Sequence, residues 1–579
     1  MTTLRLVLAQ LNMTVGDIAG NSRRIESGLE EARSLEADIV IFPELAITGY
    51  PPEDLLLKPD FVQAARDALD RLRSASSGLI AIIGLPYADD GLYNAAAVLQ
   101  NGNLVDIYYK QHLPNYSVFD EERYFQAGSA CPVFTLGQVK FGVSVCEDIW
   151  YPNGPHETQA LQGGAQLLIN ISASPYRLQY GLERERMIAR RAADNEAFVA
   201  YCNLVGGQDE LVFDGHSLVC DPTGEIIARG PQFETALLAV DLEINDVTTP
   251  RSQEARRQLE AQKAHAADGL TNINLAAIPD QPLREPINAP LIQPLPRTAE
   301  VYNALVLGTR DYVRKNGFTK AVLGLSGGVD SSLTAAIAVA AIGANNVIGV
   351  SMPSRYSSQH SLHDAARLAE NFGIDYRFIP IDGTYQAFLD MLAESFAGLE
   401  PDTTEENIQA RIRGSLLMAL SNKFGWLVLT TSNKSEVAVG YSTLYGDSAG
   451  GFSVIKDVPK MMVYELCRFI NTQAGQSVIP ERVLTKAPSA ELRPNQKDSD
   501  SLPVYEIIDP IMQAYIEENL TAEEIVERGF RRADVERIIH LIDSSEFKRR
   551  QSPPGIKIMP RAFGKDWRLP ITNAYRPYD

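Results

Sequence analysis

Three segments of the chain end apolar runs in a reactive side chain: IVIFPELAITGY in Glu44, VDIYYKQHLP in Lys110 and KFGVSVCEDIW in Cys146. Neighbouring Glu147 and Asp148 would raise the pKa of Cys146 and weaken it as a nucleophile. The thiol is therefore either a buried packing residue or one activated from elsewhere in the chain. Glu44, if desolvated, can take the thiol proton, and Cys146 can then attack a carboxamide carbon to form a thioester. Lys110, charged beside Glu44, can stabilise the tetrahedral oxyanion. A fourth segment, VLGLSGGVDSS (322–332), suits different chemistry. An apolar strand, a Ser-Gly-Gly turn and an Asp-Ser-Ser helix start would gather backbone N–H groups into an anion seat, supported by Ser326, Ser331 and Ser332. Asp330 would repel a bare phosphate, so the seat makes sense with Mg2+ between them. The plainer alternative is an ordinary glycine turn followed by an N-cap.

These groups need scaffolds that bring strand ends together. The first part alternates strands (LRLVLAQL, ADIVIFPEL, LIAIIGLPY, YNAAAVLQNGN, KFGVSVCE, AQLLINIS, AFVAYCNLVG) with helices, which predicts a layered α/β domain over 1–270. The proline-rich run at 271–296 reads as an extended linker that packs over surfaces. From 297 to 579 a βαβ rhythm predicts a doubly wound parallel sheet. EENIQARIRGSLLMALSNKFG sets Asn407 and Arg411 on one helical face and Ile408, Ile412, Leu416 and Leu420 on an apolar stripe.

At 579 residues the chain is expected to hold two to four domains with large cores. Five scattered cysteines, without a CxxC pair, suit a reducing cytoplasm and argue against structural zinc. A net charge of −20 without a basic tract disfavours nucleic-acid binding. No signal peptide or membrane span is expected, because the N-terminus lacks a long apolar core and no apolar run approaches 18 residues. No HExxH pair occurs.

SGGxDS, with no Walker lysine after the glycines, resembles the PP-loop of ATP pyrophosphatases. Those enzymes split ATP into AMP and pyrophosphate while adenylating a carboxylate or carbonyl oxygen. LVLTTSNKSEVAVGYSTLYGDSAGGFSVIKDVPK (427–460) resembles the Thr-x4-Glu and Tyr-Gly-Asp region of NAD synthetases, and EFKRRQSPPGIKI (546–558) their substrate-closing segment. The resemblance implies ATP on Leu325, Ser326, Gly327, Gly328, Val329, Asp330, Ser331, Ser332 and Thr431. It implies Mg2+ between Asp330 and Glu436, the phosphates on Lys460, and deamido-NAD(+) on Asn407, Glu436, Asp447 and Lys548. Pairing of such domains implies a homo-oligomer.

The PEL, K-x2-LP and CED segments resemble the Glu-Lys-Cys triad of the nitrilase superfamily, which implies an αββα sandwich. Glu121 is the candidate second glutamate, with Glu122 as the rival register. Tyr116 and Ser174 match glutamine-binding positions. Six residues past Ser174, where such enzymes often carry Lys or Arg, stands Tyr180, with Arg177 nearby. Together the halves resemble glutamine-dependent NAD(+) synthetases, whose substrates are deamido-NAD(+), ATP and L-glutamine. Two rivals stand beside this: a PP-loop enzyme for another substrate, such as a nucleotide base or tRNA, and a non-catalytic nitrilase-like scaffold.

Overall fold

A computed structural model describes residues 3–244, 269–277 and 284–576. It divides into two compact units: residues 1–208 with 212–295, and 209–211 with 296–579.

The first unit faces two sheets against each other. One runs Ala236–Glu243, Thr3–Gln10, Ile39–Ile41, Ile80–Ala88, Leu92–Gln100, Asn103–Tyr109. The other runs Ile226–Arg229, Leu218–Cys220, Phe198–Asn203, Leu167–Ser172, Val139–Val145, Cys131–Leu136, Leu270–Asn274. Leu6, Leu8, Ile41 and Ile82 from the first meet Phe141, Val143 and Ile169 from the second in one buried core. Each strand therefore offers one face to that core, and helices cover the other faces. Helix Tyr180–Asn195 lays Ile188 and Ala192 on Leu168, Val199 and Tyr201, giving the αββα sandwich.

The central strands of both sheets run parallel. A hairpin at Asn101-Gly102, with φ of 49° and 81°, returns Asn103–Tyr109 antiparallel to Leu92–Gln100. Positive φ at both turn residues is what Asn-Gly supplies at low cost. Two antiparallel steps restore the direction, so Lys110 leaves its sheet on the same edge as Glu44.

The proline-rich segment needs one correction. Leu270–Asn274 pairs parallel with Cys131–Leu136, so a sheet strand crosses the expected 270/271 boundary. Beyond it, Arg229 N–H donates to Pro290 O and Ile287 N–H to Asp241. With no core of its own, this stretch satisfies its backbone on the first unit, and the division falls at 295/296. Residues 278–283 of the expected linker, and 245–268 of the expected first domain, lie outside the described residues.

The second unit carries a five-stranded parallel sheet, ordered Asp375–Phe378, Val347–Ser351, Ala321–Gly324, Leu427–Thr430, Phe452–Ser453. In chain order this is 3-2-1-4-5, so connections diverge between the first and fourth strands. That switch point opens a crevice at their C-terminal ends. Helix Thr403–Phe424 packs Ile408 and Ile412 against Val322, Val350 and Val428, with Leu416 and Leu420 alongside.

Candidate active sites

In the first unit the parallel strands deliver their loops to one edge. Glu44 follows Ile39–Ile41, Lys110 follows Asn103–Tyr109, and Cys146 follows Val139–Val145 directly. Glu44 and Lys110 are fully buried and Cys146 is nearly so. Lys110 Nζ lies 2.8 Å from Glu44 Oε1 and 2.8 Å from Glu121 Oε2. The glutamate that meets Lys110 beside Glu44 is thus Glu121, while Glu122 accepts from Asn115 at an exposed position. Glu44 also accepts from Asn94 Nδ2 at 2.7 Å and from Ala173 N–H at 2.8 Å, and Glu121 accepts from Tyr50 Oη at 2.9 Å.

Burial pushes the Glu121 carboxyl up to about 7 against the pull of Lys110. It also pushes the Cys146 thiol well above its ordinary value, with Glu44 adding to the rise and Lys110 opposing it. The resting thiol is thus protonated, and any attack by it would require a base. Lys110 is raised well above its ordinary value because two carboxylates outweigh its burial, so it stays charged. Cys146 sits at φ 43°, a left-handed conformation that costs a non-glycine residue about 1–3 kcal/mol. It opens a short helical turn, Cys146–Ile149, that turns the chain away from its strand.

The two acids behind the thiol part company. Asp148 is buried and accepts from Val145 N–H (3.0 Å), Gln111 N–H (3.0 Å), His112 N–H (2.9 Å) and Tyr108 Oη (2.7 Å). It locks the turn to the chain just after Lys110, which fixes nucleophile and ammonium in one frame. Glu147 accepts from Tyr116 Oη at 3.0 Å, and its charge still reaches the thiol. Tyr180 stacks on Trp150 with ring centroids 5.4 Å apart, and the Arg177 guanidinium lies 4.2 Å from its centroid. Ser174 is buried, its N–H given to Asn203. Sequence reasoning missed Tyr50, Asn94 and the Ala173 amide, which complete the carboxylate cluster.

In the second unit Ser326, Gly328, Val329, Asp330 and Ser331 line a cavity of about 290 Å³ at the switch point, together with Thr431, Glu436, Asp447 and Lys460. Gly327 has φ 75°, and a Cβ there would lie 2.2 Å from Ser361 O, so only glycine fits this turn. Ser326 Oγ and Ser331 Oγ lie 3.1 Å apart beneath the loop. Ser332 departs from the expected anion support: it is fully buried and its hydroxyl donates back one turn to Gly328 O. Leu325 is buried and lines the same cavity.

Lys460 Nζ lies 2.6 Å from Asp330 Oδ2 and 3.3 Å from Glu436 Oε1. Asn433 Nδ2 donates to Asp330 Oδ1 at 2.8 Å. Burial and Asp330 lift the Glu436 carboxyl to about 8, against Lys460. The described residues contain no cluster of three or more His, Cys, Asp or Glu with metal-binding geometry. The Asp330–Glu436 pair nonetheless already encloses a cation, the Lys460 ammonium, between two hard oxygen donors. That donor set fits Mg2+, which keeps several waters and takes one or two carboxylates.

Asn407 Oδ1 accepts from Thr443 Oγ1 at 2.7 Å, and Asp447 accepts from Thr443 N–H at 2.7 Å. Lys548 Nζ donates to Gly440 O and Ser442 O at 2.7 and 2.9 Å. These three residues hold the 440–448 loop, and Asp447 also borders the cavity. No helix among the described residues is long and apolar enough to cross a membrane.

Comparison with known proteins agrees along the whole chain. Residues 5–251 match the carbon-nitrogen hydrolase family and residues 301–552 the NAD synthase family. The glutamine-dependent NAD(+) synthetase of Thermotoga maritima is 48% identical over 586 residues, covering 100% of both chains. That of Aquifex aeolicus is 48% identical over 574 residues, covering 99% of this chain and 100% of its own. The glutamine-dependent NAD(+) synthetase of Acinetobacter baumannii, solved with ADP, superposes with a TM-score of 0.75 at 38% identity, covering 99% of each chain. Near-identity in length with relatives this similar leaves one assignment: the chain belongs to the glutamine-dependent NAD(+) synthetase family.

Proposed function

We propose that the chain makes NAD(+) from deamido-NAD(+), ATP and L-glutamine, using one site in each unit. The observation that carries this reading is the buried Lys110 ammonium held between Glu44 and Glu121, on the strand edge that presents Cys146. A packing cysteine needs no such cluster, which is costly to bury and is kept where chemistry uses it.

Glu44 accepts the Cys146 proton as Sγ attacks the carboxamide carbon of glutamine. Lys110 stabilises the oxyanion that forms, and Glu121 with Tyr50 holds Lys110 in place. Glu44 returns its proton to the departing nitrogen, which leaves as ammonia, and a glutamyl thioester remains on Cys146. Water, deprotonated by Glu44, then releases glutamate and restores the thiol. Tyr116, Ser174 and Tyr180 line the glutamine.

In the second unit, Leu325, Ser326, Gly327, Gly328, Val329, Asp330, Ser331 and Thr431 bind ATP. The nicotinate carboxylate of deamido-NAD(+) attacks the α-phosphorus, pyrophosphate leaves, and ammonia displaces AMP from the resulting acyl adenylate. Asn407, Glu436, Asp447 and Lys548 border the dinucleotide, and Lys460 serves the phosphates. Asp330 and Glu436 would hold Mg2+; bound there, the ion neutralises phosphate charge as it develops. In this reading the amidohydrolase runs through the strand Leu270–Asn274, the proline-rich stretch up to 295 is the linker packed on it, and the synthetase begins at 296. The enzyme works in the cytoplasm as a homo-oligomer with small-molecule partners.

Steady-state turnover with ATP and deamido-NAD(+) tests the reading. One AMP and one pyrophosphate are expected per NAD(+), with either glutamine or concentrated ammonium as donor. Pyrophosphate release stimulated by a different nucleotide or by tRNA, and not by deamido-NAD(+), would favour another PP-loop substrate.

A further inference from the structure

Glutamine carries an α-carboxylate, so a site that hydrolyses it at Cys146 needs a cation close by. Lys110 is fully buried and committed to two carboxylates. Arg184 is equally enclosed, with both oxygens of Asp214 on its Nη2 at 2.9 and 2.8 Å. Neither can turn to meet a ligand without abandoning a buried charge.

Arg177 differs. Its side chain is 35% exposed, and its ionic partner, Glu183, is 56% exposed. A pair this open contributes little and exchanges readily. The Arg177 guanidinium lies over the Tyr180 ring, 4.2 Å from the centroid, and that ring stacks on Trp150 at an interplanar angle of 3°. Trp150 closes the short turn that Cys146 opens, its N–H bonded to Glu147 O at 3.0 Å. The stack Trp150–Tyr180–Arg177 is thus built off the nucleophile's own turn. The charges of Arg177, Cys146 and Glu147 all bear on the Tyr180 phenol. A guanidinium flat on an aromatic ring keeps its edge N–H groups free for a planar carboxylate. Arg177 Nη2 already holds one, that of Glu183, at 2.8 Å.

We propose, on the reading of Cys146 as a glutamine-splitting nucleophile, that Arg177 receives the α-carboxylate of glutamine by exchanging Glu183 for it. Tyr180 serves as the platform for that guanidinium.

The test compares L-glutamine with L-glutamine α-amide, which keeps the reacting carboxamide but has no α-carboxylate, as glutaminase substrates of the full chain. In Arg177→Ala the KM for L-glutamine is expected to rise about 10–100-fold with little change in kcat. Hydrolysis of the α-amide is expected to match the parent, and Arg177→Lys should recover part of the loss. Ammonia-supported synthesis reports that the chain is folded and should not change. An unchanged KM for L-glutamine in Arg177→Ala, or equal losses on both substrates, would overturn the assignment. A parent chain that hydrolyses no glutamine would instead overturn the reading of the site on which the assignment rests.

Discussion

Cys146→Ala is expected to lose glutamine-supported NAD(+) synthesis by about 10⁴-fold or more while keeping most of its ammonia-supported synthesis. The thiol is the only group in the Glu44–Lys110–Glu121 cluster that can form a covalent acyl intermediate. With alanine in its place, Glu44 has no thiol to deprotonate and Lys110 no tetrahedral adduct to stabilise. The substitution removes one buried atom from a turn that Asp148 anchors through four hydrogen bonds, so the fold should hold. Ammonia from solution still reaches the adenylate in the second unit. If Cys146 were packing alone, both donors would suffer equally, by no more than a small cavity dictates, about 1–2 kcal/mol of stability. Rates with both donors, measured side by side on variant and parent, separate the two outcomes.

Asp330→Asn should give the complementary pattern, with synthesis falling by about 10³-fold or more from either donor. Asn is nearly isosteric and retains a contact for Asn433, but it removes the negative charge that Lys460 Nζ meets at 2.6 Å. Glu436, 3.3 Å from the same ammonium, would be left as the one carboxylate of the pair, a weaker hold for Mg2+ on the phosphates. Glutaminase activity should persist at least at a basal level, since the thioester chemistry uses no residue of this loop. Strong ammonia-supported synthesis in Asp330→Asn would mean that the anion seat had been assigned to the wrong loop.

Most of this architecture is legible in the chain because its signals are local. Apolar runs closing on Glu44, Cys146 and the SGG turn mark strand ends, and a parallel sheet brings strand ends to one edge. What the sequence hides is whatever depends on a partner far along the chain. Asn94 looks like any polar residue of a strand, yet it is fully buried because Glu44, fifty residues earlier, accepts its amide. Tyr50 is silent for the same reason, its partner Glu121 lying 71 residues away. Asp148 reads as an unhelpful neighbour of the thiol; only the folded turn reveals it as the acceptor of three backbone amides. Ser332 reads as an anion ligand, but helix periodicity turns it inward, to Gly328 O. Lys460 reads as a phosphate ligand, while its ammonium also bridges the carboxylates expected to share a metal. Leu270–Asn274, at the head of a proline-rich run, becomes a strand because the edge of Cys131–Leu136 needs a partner.

In the proposed reaction one chain moves nitrogen from glutamine to the dinucleotide. The most direct measurement is mass spectrometry of NAD(+) made from amide-¹⁵N-labelled L-glutamine, ATP and deamido-NAD(+), with unlabelled ammonium in the buffer. ¹⁵N is expected in the carboxamide of the product, with AMP and pyrophosphate formed in equal amount, and the label is expected to be lost in Cys146→Ala. NAD(+) carrying only unlabelled nitrogen from the parent chain, or label retained without the thiol, would contradict the proposed reaction.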